Sequence, residues 1–352
     1  FSNEVNVFDY YSAGNLYIVM DWFHDLWLAN GPRNSPLVLS LAYGHDPECT
    51  QKDYIKFIHK LLSEHYRFHE EDEPLPFDGF DIHAQATYDN WSNVYQEIYR
   101  AFITVFPNYG DWHFNRMKFW SLETSRFPHG NCSYIEENIN CEYSSDWDVS
   151  REVIKRVAHT LNIPQMQFTA LYLKRPEWDM RRSDGVHSMM GLYDHGCQAF
   201  DKGTRTPIYG LNSLKTFTTF INGYHGDTAR DHVFSTSNVR QYQFQDDEGK
   251  HRVVVWRDFG NGTIYNQKLY VPFSQYSSVF VLDLITGISE LIPVELDLSG
   301  FFIRTSLNDN PKLITPTLCQ EELANKSIGF SIRSDIGNDP ICPDGIWTSV
   351  VH

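Results

Sequence analysis

Asn3-Glu4 stands near the start of the chain. Far downstream, Glu123 follows the apolar run Met117-Lys118-Phe119-Trp120. Two carboxylates, each at the end of an apolar segment, are the raw material for breaking a glycosidic bond. One carboxyl protonates the leaving oxygen, and the other attacks the oxocarbenium-like centre or activates water against it. Glu4 is the candidate general acid/base and Glu123 the candidate nucleophile. Asn3, beside Glu4, is suited to a sugar 2-hydroxyl, a contact that strengthens in the transition state. A carboxylate straight after an apolar strand is costly unless it lies at an open, polar mouth. Each residue also has a plain reading: Glu4 as an exposed terminal side chain, Glu123 as an ordinary strand-terminal or helix-capping carboxylate. The pair is a stronger signal than either member.

The elements that must position these groups alternate. From residue 1 to about 226, short apolar strands alternate with helical stretches, the pattern of a parallel α/β barrel. After an opening strand, helices are expected over 16–30, 53–66, 91–106 and 149–161, and strands over 36–43, 77–83, 116–122 and 165–172. A closing helix runs over 207–217. From about 231 helical periodicity vanishes. Strand-like runs at 241–244, 252–256, 263–271, 278–284 and 301–305 are separated by turns such as Asp247-Glu248-Gly249 and Asn261-Gly262. The expected domains are 1–230, 231–318 and a surface tail, 319–352.

The order of these parts, with two strands and three helices between Asn3-Glu4 and Glu123, resembles the clan A glycoside hydrolases, which are (β/α)8 barrels. The resemblance implies an α/β plus all-β chain. Its first part would be the C-terminal five βα units of a TIM-type barrel, strands four to eight, and a β-sandwich would follow. It further implies a retaining mechanism, whose two carboxyl groups lie about 5–5.5 Å apart. His83, ending its strand, is similar to the histidine that such enzymes place near the nucleophile, and a hydrogen bond from it would keep Glu123 ionised. Tyr43 and His45, after one strand, and Tyr172 and Trp178, after the last, would line the mouth and stack on sugar rings. Each has a bland alternative in a polar layer or a barrel cover. The implied partner, besides a carbohydrate substrate, is a complementary N-terminal chain or segment supplying barrel strands one to three. A catalytically inactive relative, used for glycan binding or in an extracellular assembly, is the second reading.

Composition bounds the rest. A net charge of −16 over 352 residues argues against nucleic acid and anionic membranes as bulk partners. Lys174-Arg175 and Arg181-Arg182 could meet an anionic sugar, although such loop clusters are more often solvated surface. No run is long enough to span a membrane. A signal peptide is lacking, as expected of a chain that begins inside a mature protein. Six cysteines and four sequons, at Asn90, Asn131, Asn261 and Asn325, point to the secretory pathway, secreted or lysosomal. Local pairings Cys132–Cys141 and Cys319–Cys342 would leave Cys49 with Cys197, although six cysteines allow fifteen connectivities. Asp194, His195 and Cys197 do not make a zinc spacing, so neither a catalytic metal nor a cofactor is expected. There is no Gly-rich phosphate loop and no Gly-x-Ser-x-Gly elbow.

Overall fold

The computed structural model of the protein describes residues 6, 12–30, 36–43, 53–83, 88–124, 133–135, 138–140, 146–171, 209–226, 238–258 and 262–316. Side chains are excepted at 123–124, 133–135, 138–140, 146–149, 168–171 and 209–212. The chain begins with α1 (Ala13–Asn30), β1 (Val38–Ala42), α2 (Tyr54–Phe68), β2 (Gly79–His83), α3 (Asn90–Val105), α4 (Gly110–Arg116) and β3 (Lys118–Thr124). A small hairpin, β4 (Ser133–Ile135) and β5 (Asn138–Asn140), precedes α5 (Asp146–Leu161), β6 (Met166–Leu171) and α6 (Tyr209–Ile221). Strands then follow without helices: β7 (His225–Gly226), β8 (Val239–Gln245), β9 (His251–Arg257), β10 (Ile264–Tyr270) and β11 (Ser278–Asp283). The last four are β12 (Ser289–Pro293), β13 (Glu295–Asp297), β14 (Gly300–Leu307) and β15 (Lys312–Thr315).

Contacts divide the chain into two units. The first comprises residues 1–125 and 165–172, the second 126–164 and 173–352. In the first, four parallel strands lie in the order β1-β2-β3-β6. Neighbours in sequence are neighbours in the sheet with no reversal, as in an arc of a barrel and unlike a doubly wound sheet. Every residue of β2 is buried, and parallel strands covered on both faces read as such continuous buried runs. Helix α2 shows why the local sequence folds as it does. The Asp53 carboxylate accepts from the Ile55 and Lys56 amides at 3.2 Å each, a cap worth about 1 kcal/mol. Tyr54, Phe57, Ile58, Leu61, Leu62 and His65 form its buried face at helical spacing. Under α3, Phe119 of β3 meets the rings of Trp91, Tyr95 and Phe114 at 6.1, 5.6 and 5.8 Å between centroids. These contacts, edge-to-face with Trp91 and Tyr95 and tilted with Phe114, join β3 to the helix layer.

In the second unit two antiparallel sheets, β10-β14-β13 and β12-β11-β15-β9-β8-β7, contribute to one hydrophobic cluster. Val253 and Val255 of β9, Val279 and Val281 of β11, and Ile303 and Leu307 of β14 are among its members. Helices α5 and α6 also group here, whereas the sequence pattern assigns them to 1–230. The reason is a set of specific buried contacts. His159 of α5 hydrogen-bonds the Tyr242 hydroxyl at 2.8 Å, and Arg151 donates to Asn310 at 2.6 Å. The buried Arg252 guanidinium donates to the Phe220 carbonyl of α6 and lies 4.5 Å from the Tyr224 ring centroid.

Several elements differ from the sequence pattern. Helix α4, strands β7, β12 and β13, and the β4–β5 hairpin within the cysteine-bearing insertion are absent from the sequence pattern. Strand β3 extends to Thr124 rather than ending at 122, so Glu123 is a strand residue. Of the five expected parallel strands, four are described; the opening one and the 319–352 tail lie outside the described residues, except Asn6.

Candidate active site at the carboxyl ends of the parallel strands

Side chains alternate across a strand, so β1, β2 and β3 each offer two sets. One set, Leu39, Leu41, Phe80, Ile82 and Phe119, is fully buried and apolar. The other carries Ser40, Asp81 and His83, which are 9%, 3% and 5% exposed. Ser40 is the register partner of Asp81 across the parallel pair, and His83 follows two residues on, over the same face. His83 Nε2 lies 3.0 Å from Asp81 Oδ2 and 3.2 Å from Ser40 Oγ. With Asp81 as the acceptor, Nε2 is the ring nitrogen that donates to it. The other carboxylate oxygen of Asp81 accepts the Leu122 amide of β3 at 2.8 Å. Three strands are thus tied together by polar side chains at the end where barrel enzymes hold their reacting groups.

Asn6 joins this end of the sheet. Its carboxamide donates to the Ala42 carbonyl at 3.0 Å and accepts the Ala42 amide at 2.9 Å. The side chain thereby mimics a strand partner for the last residue of β1. Tyr43, next in sequence, is half-buried, with its ring 5.2 Å from that of Tyr54 at the start of α2. The Tyr54 hydroxyl is hydrogen-bonded to Glu97 of α3. Burial, and secondarily the Glu97 carboxylate, raise the Tyr43 phenol above its ordinary pKa.

Of the residues singled out by sequence, His83 and Tyr43 are described here, and β3 carries the backbone of Glu123. Asn3, Glu4, His45, Tyr172 and Trp178 lie outside the described residues, as do all six cysteines, Asn131, Asn261 and Asn325, and the Lys174–Arg182 cluster. Asn90 is the first residue of α3 and is 8% exposed, so a glycan on it would require the start of that helix to open. Sequence reasoning missed Ser40, Asp81 and Asn6. Asp81 and His83 at positions i and i+2 of one strand are a readable signal for a shared face. Ser40 within Val38-Leu39-Ser40-Leu41-Ala42 signals only a polar interruption. Among the described residues no group of three or more His, Cys, Asp or Glu side chains could hold a metal ion, and no helix is long and apolar enough to cross a membrane.

No family model and no curated protein matches the sequence. Solved structures similar to the chain include a family 39 glycoside hydrolase from the gut symbiont Bacteroides cellulosilyticus WH2. It is 11% identical with a TM-score of 0.47, over 87% of this chain and 62% of that one. A family 51 alpha-L-arabinofuranosidase from Bifidobacterium longum is 8% identical with a TM-score of 0.44, over 86% of this chain and 62% of that one. A xyloglucanase of family 44 from Paenibacillus polymyxa is 10% identical with a TM-score of 0.44, over 89% and 64%. The chain therefore spans between 62% and 64% of the length of these structures. These similar structures are clan A glycoside hydrolases.

Proposed function

We propose that this chain is part or all of a retaining glycoside hydrolase, with Glu123 as nucleophile and Glu4 as acid/base. The observation that supports this most is the polar layer Ser40–His83–Asp81–Leu122, built where β3 delivers Glu123. Buried polar side chains cost free energy unless they are paired, and this layer is paired across three strands at the open end of the sheet. In the reaction, a Glu123 oxygen bonds to the anomeric carbon as the bond to the leaving oxygen breaks, and Glu4 supplies that oxygen's proton. Water then attacks the same carbon, gives its proton to Glu4 and releases Glu123. Asn3, Tyr43, His45, His83, Tyr172 and Trp178 are proposed to line the substrate path.

The chain is read as the C-terminal part of a (β/α)8 barrel with an appended β-sandwich, from the secretory pathway, glycosylated and disulfide-bonded. A complementary segment is proposed to supply further barrel units. Helix α1 supports it: Ile18, Trp22 and Leu26 recur every fourth residue and are 58%, 67% and 43% exposed. An apolar stripe of that kind is expected to meet another helix.

The test is turnover of 4-methylumbelliferyl β-glycosides by the native protein and by Glu123→Gln and Glu4→Gln. A 2-deoxy-2-fluoroglycosyl fluoride of each hydrolysed sugar should label the peptide bearing Glu123. Wild-type turnover by Glu123→Gln rejects the assignment. Glycan binding by the native protein without turnover favours the non-catalytic reading instead.

A further inference from the structure

Strand β3 changes partners where it carries Glu123. Toward β2 the paired positions are Gly79–Lys118, Phe80–Phe119 and Asp81–Trp120, and among the described residues the pairing stops there, although both strands continue. Toward β6 the register slips twice, between Phe119–Met166 and Trp120–Phe168 and again between Ser121–Thr169 and Thr124–Leu171. At the second slip three steps along β3 are matched by two along β6, so the segment holding Leu122 and Glu123 is a bulge. Bulges break the alternation of side chains and re-aim them, and they recur beside active sites. Their cost is a lost stretch of ladder, which leaves position less well determined.

One side chain takes the place of the missing ladder. The Leu122 amide, two residues beyond the last β2–β3 pair, is accepted by Asp81 Oδ1 at 2.8 Å. Oδ2 of the same carboxylate holds His83 at 3.0 Å, and both Asp81 and His83 are nearly inaccessible to solvent. A carboxylate suits this double duty because each oxygen accepts independently, whereas a carboxamide offers only one accepting oxygen. Hydrogen bonds to an ionised acceptor are also stronger than neutral ones, and more so away from water.

We propose that Asp81 is a positioning residue that fixes the bulged end of β3, and Glu123 with it, from the neighbouring strand. By the same carboxylate it holds the His83 ring in one orientation. The proposal rests on the reading of Glu123 as nucleophile, because only then does the placement of this bulge matter to a reaction. Displacing a reacting group by about 1 Å costs roughly a hundredfold in rate, so a pin of this kind acts on kcat more than on binding.

Native-state hydrogen exchange on the intact chain tests the pin without substrate. In the native protein the Leu122 amide should be protected to within about tenfold of the Phe119 amide, which donates to the Gln165 carbonyl. In Asp81→Asn, Leu122 exchange should accelerate by at least about tenfold with Phe119 unchanged, and the His83 ring 15N shifts should move. With hydrolysed 4-methylumbelliferyl β-glycosides, kcat should fall about ten- to a hundredfold while KM stays within about threefold. An unprotected Leu122 amide in the native protein overturns the proposal whether or not the variant folds. Unchanged Leu122 protection, or unchanged kcat, in a folded Asp81→Asn also overturns it. Wild-type turnover by Glu123→Gln overturns the nucleophile reading and is a separate outcome, read from a different variant.

Discussion

His69 is stacked on His65, with 4.8 Å between ring centroids and 10° between planes, and their surroundings shift the two imidazoles in opposite directions. His65 is buried, between the Tyr17 hydroxyl on Nδ1 at 2.9 Å and the Glu73 carbonyl on Nε2 at 3.1 Å. Burial pushes it down to about 4, and the neighbouring His69 and His113 rings add to the shift. For His69 burial opposes protonation, but the Glu73 and Asp21 carboxylates outweigh it, at 2.8 and 3.3 Å, and its pKa is raised. His113, whose Nε2 faces the Glu71 carbonyl at 2.8 Å, is lowered by burial first and then by Arg116. The corner joining α1, α2, α4 and the loop into β2 therefore pushes His69 toward the protonated form and His65 and His113 toward the neutral one.

Stability should consequently peak near neutral pH and fall on both sides. Depressed histidines bind fewer protons when folded, so stability is lost as pH drops below the ordinary 6.5; for His65 the loss runs down to about 4. For a fully buried His65 this amounts to something on the order of 3 kcal/mol. His69 acts with the opposite sign: its contribution is complete below 6.5 and disappears as pH rises through its raised folded value. Urea midpoints measured from pH 4 to 8 should show a shallower acid limb in His65→Gln and a flatter alkaline limb in His69→Gln. Acid limbs that superimpose for the native protein and His65→Gln would rule this account out.

In the second unit, Asn310 should act as a keystone. It is 5% exposed, donates through Nδ2 to Asp283 Oδ2 at 2.9 Å and accepts Arg151 Nε at 2.6 Å. Asp283 at the same time accepts the Ile285 and Thr286 amides at 2.9 Å, shaping the turn after β11. Asn310→Ala should cost about 1–3 kcal/mol, because it leaves the buried Asp283 carboxylate short of a donor and takes one acceptor from Arg151. Combined with Arg151→Ala it should be non-additive by at least about 0.5 kcal/mol. A double-mutant cycle by chemical denaturation measures both numbers, and strict additivity would show that Asn310 does not link α5 to the strand end.

Helix α2 offers a local test. Asp53→Ala removes the acceptor for two first-turn amides and should lower stability by about 1 kcal/mol, whereas Asp53→Ser should keep most of it. The buried α2 face is unaffected by either change, so thermal melting should separate the two variants without altering the circular dichroism of the folded state. Equal melting temperatures for Asp53→Ala and Asp53→Ser would mean that water caps α2 equally well.

Much of this architecture is readable from local pattern, and the site only in part. The face of α2 follows from spacing alone, and the run Phe77–His83 announces a buried strand. Glu123 is marked by its apolar approach. Other features depend on partners distant in sequence. Whether Asp81 meets Leu122 is decided by the β2–β3 register, and the bulge at Leu122–Glu123 exists only relative to β6. Nothing in the local sequence marks the irregular register against β6 across Leu122 and Glu123. Asn6 is invisible for a related reason, since a side chain imitating a strand backbone has no periodicity. Helix α4 is seven residues long, too short for helical spacing to stand out.

Gly79 connects the fold to the proposed site most directly. A Cβ at this position would overlap the Lys118 carbonyl and lie 2.8 Å from the Trp120 ring, both on β3. Here β2 and β3 are in closest approach two residues before Asp81, and neither obstacle is the free end of a flexible side chain. Gly79→Ala must therefore push the strands apart, at about 3 kcal/mol or more. The separation should propagate along the pair and lengthen the bond from the Leu122 amide to Asp81, two residues past the last paired position of β3. The variant is thus expected to melt at lower temperature and, while still folded at 15–20 °C, to exchange its Leu122 amide faster than the native protein. Gly249→Ala is a milder control. Its positive φ of 79° makes alanine unfavourable by only about 1 kcal/mol, and the Asp246 turn it closes belongs to the other unit. If each variant speeds Leu122 exchange only in proportion to its measured loss of stability, global destabilisation explains the effect. Acceleration confined to Gly79→Ala ties the close approach of β2 and β3 to the placement of the Glu123 strand end.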